Sequence, residues 1–284
     1  MNDSIKRGDP VKLIAFDLDG TILNSGKEVT PRTLAAIHNA LSAGIHIVPA
    51  TGRQFSDIPQ PVKDIPSPFI ITNNGAQVYR MPETSLELSK KFEKDTALSL
   101  LYDLRNFKGM IFGAYDTIGV FDNKGRGVEE GITGRKRNAN SWNDYPIADI
   151  GSLIRDGIRF IKLVMIFEDP AERQRALNAF LPRKDLYVTY FAGDNIEIMP
   201  AGVSKGNALG FVAEKLGIDM KNVMALGDSD NDKDMIRKAG LGIAMGNATE
   251  ELKAAADEVT LSCDEDGAAL AIEKALSELR ESPQ

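Results

Sequence analysis

Cysteine is nearly missing from this chain. A single residue, Cys263, in 284 excludes an intramolecular disulfide framework and fits a reducing compartment. Histidine is scarce too: His38 falls in a helical stretch and His46 in a strand, which argues against a histidine triad or a zinc centre. There is no basic excess to neutralise a polynucleotide backbone, because 34 Lys and Arg stand against 41 Asp and Glu, a net charge of -7. No nucleic-acid partner is therefore expected. A local positive field for a small anion remains compatible with that total. No apolar run approaches membrane-spanning length, and Met1 to Lys12 is polar and charged without the apolar stretch of a signal peptide. The expectation is a soluble, cytoplasmic protein with no membrane partner. A phosphate-binding loop ending in glycine-lysine-serine/threonine is also missing, which leaves nucleoside-triphosphate hydrolysis on that pattern unsupported.

What is present is an alternation of apolar strands and capped helices at both ends of the chain. Val11–Phe16 reads as a buried strand. Thr30–Ala43 reads as a helix with Thr30 as its cap, Pro31 at its first position and Gly44 as its terminator. Ile45–Val48 and Phe69–Ile71 read as further short strands, and this order predicts a parallel, doubly wound sheet. From about Pro82 the pattern becomes mixed, with a helical stretch over Glu87–Phe107, strands at Met110–Tyr115, Thr117–Phe121, Ile158–Phe167 and Leu186–Phe191, and a helix over Pro170–Leu181. The alternation returns with a helix over Ser204–Leu216, a strand at Asn222–Leu226 and a helix over Asp230–Ala239. Short strands at Gly242–Met245 and Val259–Leu261 and helices over Thr249–Ala256 and Gly267–Arg280 complete it. The expected organisation is one α/β domain built from residues 1–82 and 192–284, with an α+β module, 83–191, inserted between them.

The chemistry gathers where strands end. Ile14-Ala15-Phe16-Asp17-Leu18-Asp19-Gly20-Thr21 stops an apolar run on two carboxylates, and Asp17 stands where a buried strand would continue with an apolar residue. Asp19-Gly20 alone is also compatible with a hairpin turn. Gly227-Asp228-Ser229-Asp230-Asn231-Asp232 follows a second such strand. Two acidic strand ends brought together suit magnesium, which takes oxygen ligands and pairs with phosphate. A calcium loop is excluded, because Lys233 and Ala239 occupy the positions where such a loop needs glycine and glutamate. Ala50-Thr51-Gly52-Arg53 offers a hydroxyl and backbone amides to a phosphoryl oxygen, or else a simple turn cap. Lys205 opens a helix, where its charge opposes the dipole and calls for an anionic partner.

Taken together, Asp17-Leu18-Asp19-Gly20-Thr21, Thr51, Lys205 and Gly227 to Asp232 resemble the four motifs of the haloacid dehalogenase superfamily of phosphatases. The insert between the threonine and lysine motifs resembles the type II cap arrangement. Ile71-Thr72-Asn73-Asn74-Gly75-Ala76 and Ile196-Glu197-Ile198-Met199-Pro200 before Gly202-Val203-Ser204-Lys205-Gly206 resemble the Cof-like, type IIB branch. The resemblance implies a Rossmann-like core with a cap that selects the substrate. It implies Asp17 as nucleophile, forming an aspartyl-phosphate, and Asp19 as the acid and base. It implies Mg2+ held by Asp17, the Asp19 backbone carbonyl and Asp228, with Asp232 behind them or acting through water. Thr51, Gly52 and Lys205 would bind the phosphoryl oxygens, with Asn231 nearby. The substrate class implied is a small phosphorylated metabolite, a sugar phosphate or a related monoester. A phosphomutase or phosphotransferase on the same scaffold, and a non-catalytic sensor of a phosphometabolite, are the competing readings. Arg135, Lys136, Arg137, Trp142 and Tyr145 in the insert read as a solvated basic loop with an anchoring aromatic, and no oligomeric state follows from the residues.

Overall fold

Leu13, Ile14, Ala15 and Phe16 are fully buried, and they form the first strand of the computed structural model, which describes residues 10–104, 106–108, 110–115, 119–122, 157, 159–190 and 193–281. In chain order the elements begin with β1 (Leu13–Phe16), α1 (Pro31–Ser42), β2 (His46–Pro49), α2 (Gln60–Lys63), β3 (Phe69–Thr72), β4 (Gln77–Arg80) and β5 (Ser85–Ser89). There follow α3 (Lys94–Leu104), β6 (Met110–Tyr115), β7 (Gly119–Asp122), β8 (Phe160–Ile166), α4 (Pro170–Phe180), β9 (Leu186–Thr189) and β10 (Asn195–Pro200). The last are α5 (Lys205–Leu216), β11 (Val223–Gly227), α6 (Lys233–Lys238), β12 (Leu241–Ala244), α7 (Glu250–Lys253), β13 (Glu258–Val259) and α8 (Gly267–Glu281).

Two compact units divide the chain, residues 1–88 with 204–284, and residues 89–203. The first contains a five-stranded sheet in the order β13-β12-β11-β1-β2, every pair parallel. Its strands are apolar on both faces, as a sheet covered by helices on both sides requires. β1 pairs with β11 on one edge and β2 on the other, so the hairpin alternative for Asp19-Gly20 fails: no edge of β1 is left for a returning strand. The winding reverses between β1 and β11, and open α/β sheets bind ligands beyond the carboxyl ends of their strands at such a reversal. β3, β4 and β5 form a three-stranded sheet, joined to the end of β2 through a bridge between Ala50 and Ile71. The caps follow the sequence: Thr30 Oγ1 accepts from Thr33 N at 3.1 Å, and Gly217 closes α5 in a left-handed conformation.

The second unit is an antiparallel sheet, β7-β6-β8-β10-β9, with its own apolar cluster that includes Phe92, Leu100, Leu104, Phe160, Phe180 and Ile196. The expected fold class, a doubly wound parallel sheet with an inserted α+β module, is what the chain adopts. The helical expectation over Glu87–Phe107 is too long: β5 takes Ser85–Ser89 and α3 begins at Lys94. Leu86 and Leu88 alternate about Glu87, a period of two, and Glu87 bonds Arg80 of the neighbouring strand at 2.7 Å. The helix expected over Asp230–Ala239 opens instead with a tight 3-10 turn, Asp230–Asp232, before α6. No helix among the described residues is long and apolar enough to cross a membrane. Arg135, Lys136, Arg137, Trp142 and Tyr145 lie outside the described residues.

Candidate active site

The carboxyl ends of β1 and β11 set two aspartates side by side. The Asp17 backbone N–H donates to the Leu226 carbonyl at 3.0 Å, which carries the parallel ladder one residue past the strand. Asp228 follows Gly227, whose missing Cβ leaves the space that the Asp232 side chain fills. Asp232 Oδ2 then accepts from the backbone N–H groups of Asp228 at 3.0 Å and Ser229 at 3.1 Å, fixing the turn that presents Asp228. Carboxylate oxygens of Asp17, Asp228 and Asp232 all lie within 4.8 Å of one another. Gly20, at φ +76, has no Cβ to strike the Asp228 carboxylate.

Lys205 enters this acidic cluster from the first turn of α5. Its Nζ stands 2.6 Å from Asp17 Oδ1 and 2.7 Å from Asp232 Oδ1, with the side chain wholly buried. These are the anionic partners that a lysine at a helix N-terminus calls for. Ser204 caps the helix, its Oγ accepting from Asn207 N at 3.0 Å and donating to Asp234. Burial would lower the Lys205 pKa, but the charges and hydrogen bonds of Asp17 and Asp232 outweigh it and hold the ammonium above its ordinary value. Burial pushes the Asp17 carboxyl well up; Lys205 opposes this, and Asp232 and Asp228 add to it. Burial and the Asp232 charge raise Asp228 to about 7, against the pull of Lys205. One ammonium therefore leaves three clustered carboxylates short of positive charge. Asp228 Oδ1 is buried without a hydrogen-bond partner. An all-oxygen donor set with an unpaired carboxylate oxygen fits a hard divalent cation.

The loop after β2 opens on neutral polar groups. Thr51 follows β2 and is 1% exposed; its N–H donates to the Ile71 carbonyl at 2.9 Å, and its Oγ1 accepts from Arg53 N at 3.1 Å. Gly52 passes so close to Asn74 that a Cβ there would lie 2.8 Å from Asn74 Oδ1 and 3.6 Å from Asn231 Nδ2. Asn231 Nδ2 donates to Asn74 Oδ1 at 3.0 Å. The structure thus joins Asp17, Asp228, Asp232 and Lys205 in one cluster, and ties Gly52 to Asn231 through Asn74.

The Asp19 carboxylate is engaged elsewhere. Arg53 donates from Nε to Oδ2 at 2.7 Å and from its terminal nitrogen to Oδ1 at 2.6 Å, and Lys27 Nζ reaches Oδ1 at 3.0 Å. Burial works to raise Asp19, but the Arg53 hydrogen bonds and charge, with those of Lys27, hold it well below the ordinary carboxylate range. Neither the Arg53–Asp19 pair nor the Lys27 contact is among the expectations from sequence. Arg53 had a signal, since a long cation two residues after Thr51 reaches whatever follows the neighbouring strand; Lys27 had none.

Asp17 and Asp228 thus end neighbouring parallel strands, with the buried Lys205 joining Asp17 to Asp232. The haloacid dehalogenase-like hydrolase family matches residues 14–272. The chain belongs to that family. Its sheet with an inserted antiparallel cap places it among the Cof-like, type IIB members, and it is a phosphatase of this group. It is 33% identical over 275 residues to the 5-amino-6-(5-phospho-D-ribitylamino)uracil phosphatase YcsE of Bacillus subtilis, covering 95% of this chain and 98% of that one. It is 29% identical over 249 residues to the HMP-PP phosphatase of Cronobacter sakazakii, covering 86% and 87%. Among solved structures, the phosphatase BT1666 of Bacteroides thetaiotaomicron matches with a TM-score of 0.78 at 26% identity, covering 94% of this chain and 96% of that one. In this phosphatase the Arg53–Asp19 pair closes the loop after β1 onto the loop after β2, so two of its four motifs are physically locked together.

Proposed function

We propose that this phosphatase hydrolyses small phosphorylated metabolites, sugar phosphates or related monoesters, through an aspartyl-phosphate on Asp17. The observation that carries the reading is the pairing of Asp17 with the buried Lys205 beside Asp228. A carboxylate attacking a phosphate monoester meets like-charge repulsion, and a fixed cation at 2.6 Å from its oxygen offsets that repulsion where burial makes it strongest. Asp17 forms a bond to phosphorus as the ester oxygen leaves with a proton from Asp19. Asp19, again a carboxylate, then takes a proton from water, whose oxygen attacks phosphorus and releases inorganic phosphate and free Asp17. For the first of these steps Asp19 gives up its bonds to Arg53 and Lys27, both of which favour the ionised form that the second step needs. Thr51, the Gly52 backbone, Lys205 and Asn231 bind the phosphoryl oxygens. Asp17, Asp228 and the Asp19 backbone carbonyl are the ligands proposed for Mg2+, with Asp232 holding the turn behind them. When bound, the ion supplies the positive charge that the carboxylate cluster lacks and draws charge from the phosphoryl oxygens.

The inserted unit, residues 89–203, is the element proposed to select the substrate. Relatives named for a phospho-ribitylaminouracil and for HMP-PP support a phosphorylated metabolite as the class. The test is phosphate release from a panel of sugar phosphates and other monoesters, with magnesium and with chelator, beside Asp17→Asn. Release that needs magnesium and is lost in the variant, with the fold retained, is the expected result. Substantial activity in Asp17→Asn overturns the assignment of the nucleophile, and isomerisation of a sugar phosphate without phosphate release overturns hydrolysis in favour of a mutase.

A further inference from the structure

The segment Thr72-Asn73-Asn74-Gly75 has no part in the chemistry above, yet it carries the most unusual backbone among the described residues. Asn73 at φ 49, Asn74 at φ 56 and Gly75 at φ 94 are three successive left-handed residues. A left-handed non-glycine residue costs about 1–3 kcal/mol, and such residues gather at functional sites where surrounding contacts over-determine them. Asn tolerates the conformation better than most residues, which accounts for the residue type but not for the turn. Both asparagines are buried, Asn73 to 1% and Asn74 to 0% exposure.

The contacts of this turn run to segments that carry the proposed phosphoryl-binding groups. Asn73 N–H donates to the Arg53 carbonyl at 2.9 Å, and Asn74 N–H to the Thr51 carbonyl at 3.0 Å. These bonds pin the Thr51-Gly52-Arg53 loop on both sides of Gly52. Asn74 Oδ1 accepts from Asn231 Nδ2 at 3.0 Å. Gly75 packs its Cα against the Ser204 carbonyl, where any Cβ would collide, so the turn also abuts the residue before Lys205. An amide NH2 has two N–H donors. Asn74 takes one of those of Asn231, and the direction of that bond sets where the other points.

We infer that Asn74 is a positioning residue for phosphoryl binding: through its Oδ1 it holds the Asn231 amide and the Gly52 backbone in register. The inference rests on the reading of Thr51, Gly52 and Asn231 as phosphoryl-binding groups, and it adds a role that this reading leaves unassigned. A role in folding alone would make the turn matter for stability and leave its effect on phosphate affinity independent of Asn231.

The test uses the full chain with magnesium and four forms: wild type, Asn74→Gly, Asn231→Ala and the double variant. Glycine accepts the left-handed backbone, so Asn74→Gly deletes the Oδ1 contact while sparing the turn. The readouts are kcat/KM on the best ester of the panel and the affinity for inorganic phosphate by calorimetry, which needs no turnover. Asn74→Gly is expected to weaken both about tenfold, the scale of one buried hydrogen bond. In the Asn231→Ala background the same change should cost clearly less, only the part that acts through Gly52 remaining. Independent, multiplying losses in the double variant overturn the inference, as does a wild-type phosphate affinity in Asn74→Gly. An Asn231→Ala variant with wild-type values also overturns it while leaving the Asp17 chemistry standing; a wild type with no Asp17-dependent hydrolysis sinks the underlying reading instead. If Asn74→Gly does not fold, Gly52→Ala reads the same contact, because its methyl would press on Asn74 Oδ1. It should weaken phosphate binding more in the wild-type background than in Asn231→Ala, and a loss of equal size in both overturns the inference.

Discussion

Replacing Lys205 by methionine removes the positive charge from a wholly buried position and leaves its length nearly unchanged. Two carboxylates, Asp17 at 2.6 Å and Asp232 at 2.7 Å, then lose their shared partner, with Asp228 beside them. Deleting one member of a buried ion pair costs about 3–5 kcal/mol, because the charge left behind is unpaired. For a protein of this size that corresponds to a fall in Tm of roughly 6–20 °C. The assay is thermal unfolding of wild type and Lys205→Met at pH 8 in chelator, repeated at pH 5. The pH dependence has a definite sign. Asp17 and Asp228 have folded pKa values above their unfolded ones, so each contributes stability that is full below the unfolded value, about 3.9, and is lost as pH rises through the folded value, about 7 for Asp228. The raised Lys205 pKa carries the same sign, but its window lies above both pH values, so the wild-type ammonium stays charged and stabilising at each. Acidification to pH 5 therefore relieves the variant more than the wild type, and the gap in Tm narrows. Equal midpoints at pH 8, or a gap that widens at pH 5, would falsify the account of Lys205 as counter-charge to the cluster.

Arg53→Gln frees Asp19 from the partner that holds its carboxyl low, so the acid limb of the rate profile moves to higher pH; an unmoved limb would mean that Asp19 is not the base. Gly75→Ala adds a methyl at φ +94 against the Ser204 carbonyl and should destabilise the chain by about 1–3 kcal/mol, read as a lower urea midpoint; an unchanged midpoint refutes the packing argument.

The site was legible where the sequence breaks its own pattern. Asp17 and Asp228 announce themselves because each ends a run of buried apolar residues, and Lys205 because a cation at a helix N-terminus needs a reason. The parallel sheet followed from the alternation and capping of its elements, and the Thr30 and Gly217 ends of helices fall where the sequence puts them. Asn74 was visible as part of a motif but not as a contact, since its partner Asn231 lies 157 residues away and no local pattern encodes that distance. The Asp19–Arg53 pair was hidden for a related reason: it depends on the loops after β1 and β2 meeting. The misjudged helix over Glu87–Phe107 shows the converse. Leu86 and Leu88 are only partly covered, and a short half-exposed strand carries too few apolar residues to distinguish a period of two from the start of a helix.

The sheet order has a consequence for how the chain comes into being. β1 is made well before β11, and Leu13 pairs with Val223, so one edge of a fully apolar strand waits for a partner that comes much later in the chain. At about 5–20 residues per second, ribosomal synthesis leaves that edge uncovered for on the order of ten to forty seconds. The inserted unit has its own apolar cluster and can collapse during that interval, whereas β1 stays a template for stray pairing. A nascent chain stopped before β11 would thus hold Asp17, Thr51 and Lys205 without Asp228 or Asp232, inert and adhesive at once, so the synthesis of β11 and the turn after it both completes the chemistry and ends the exposure.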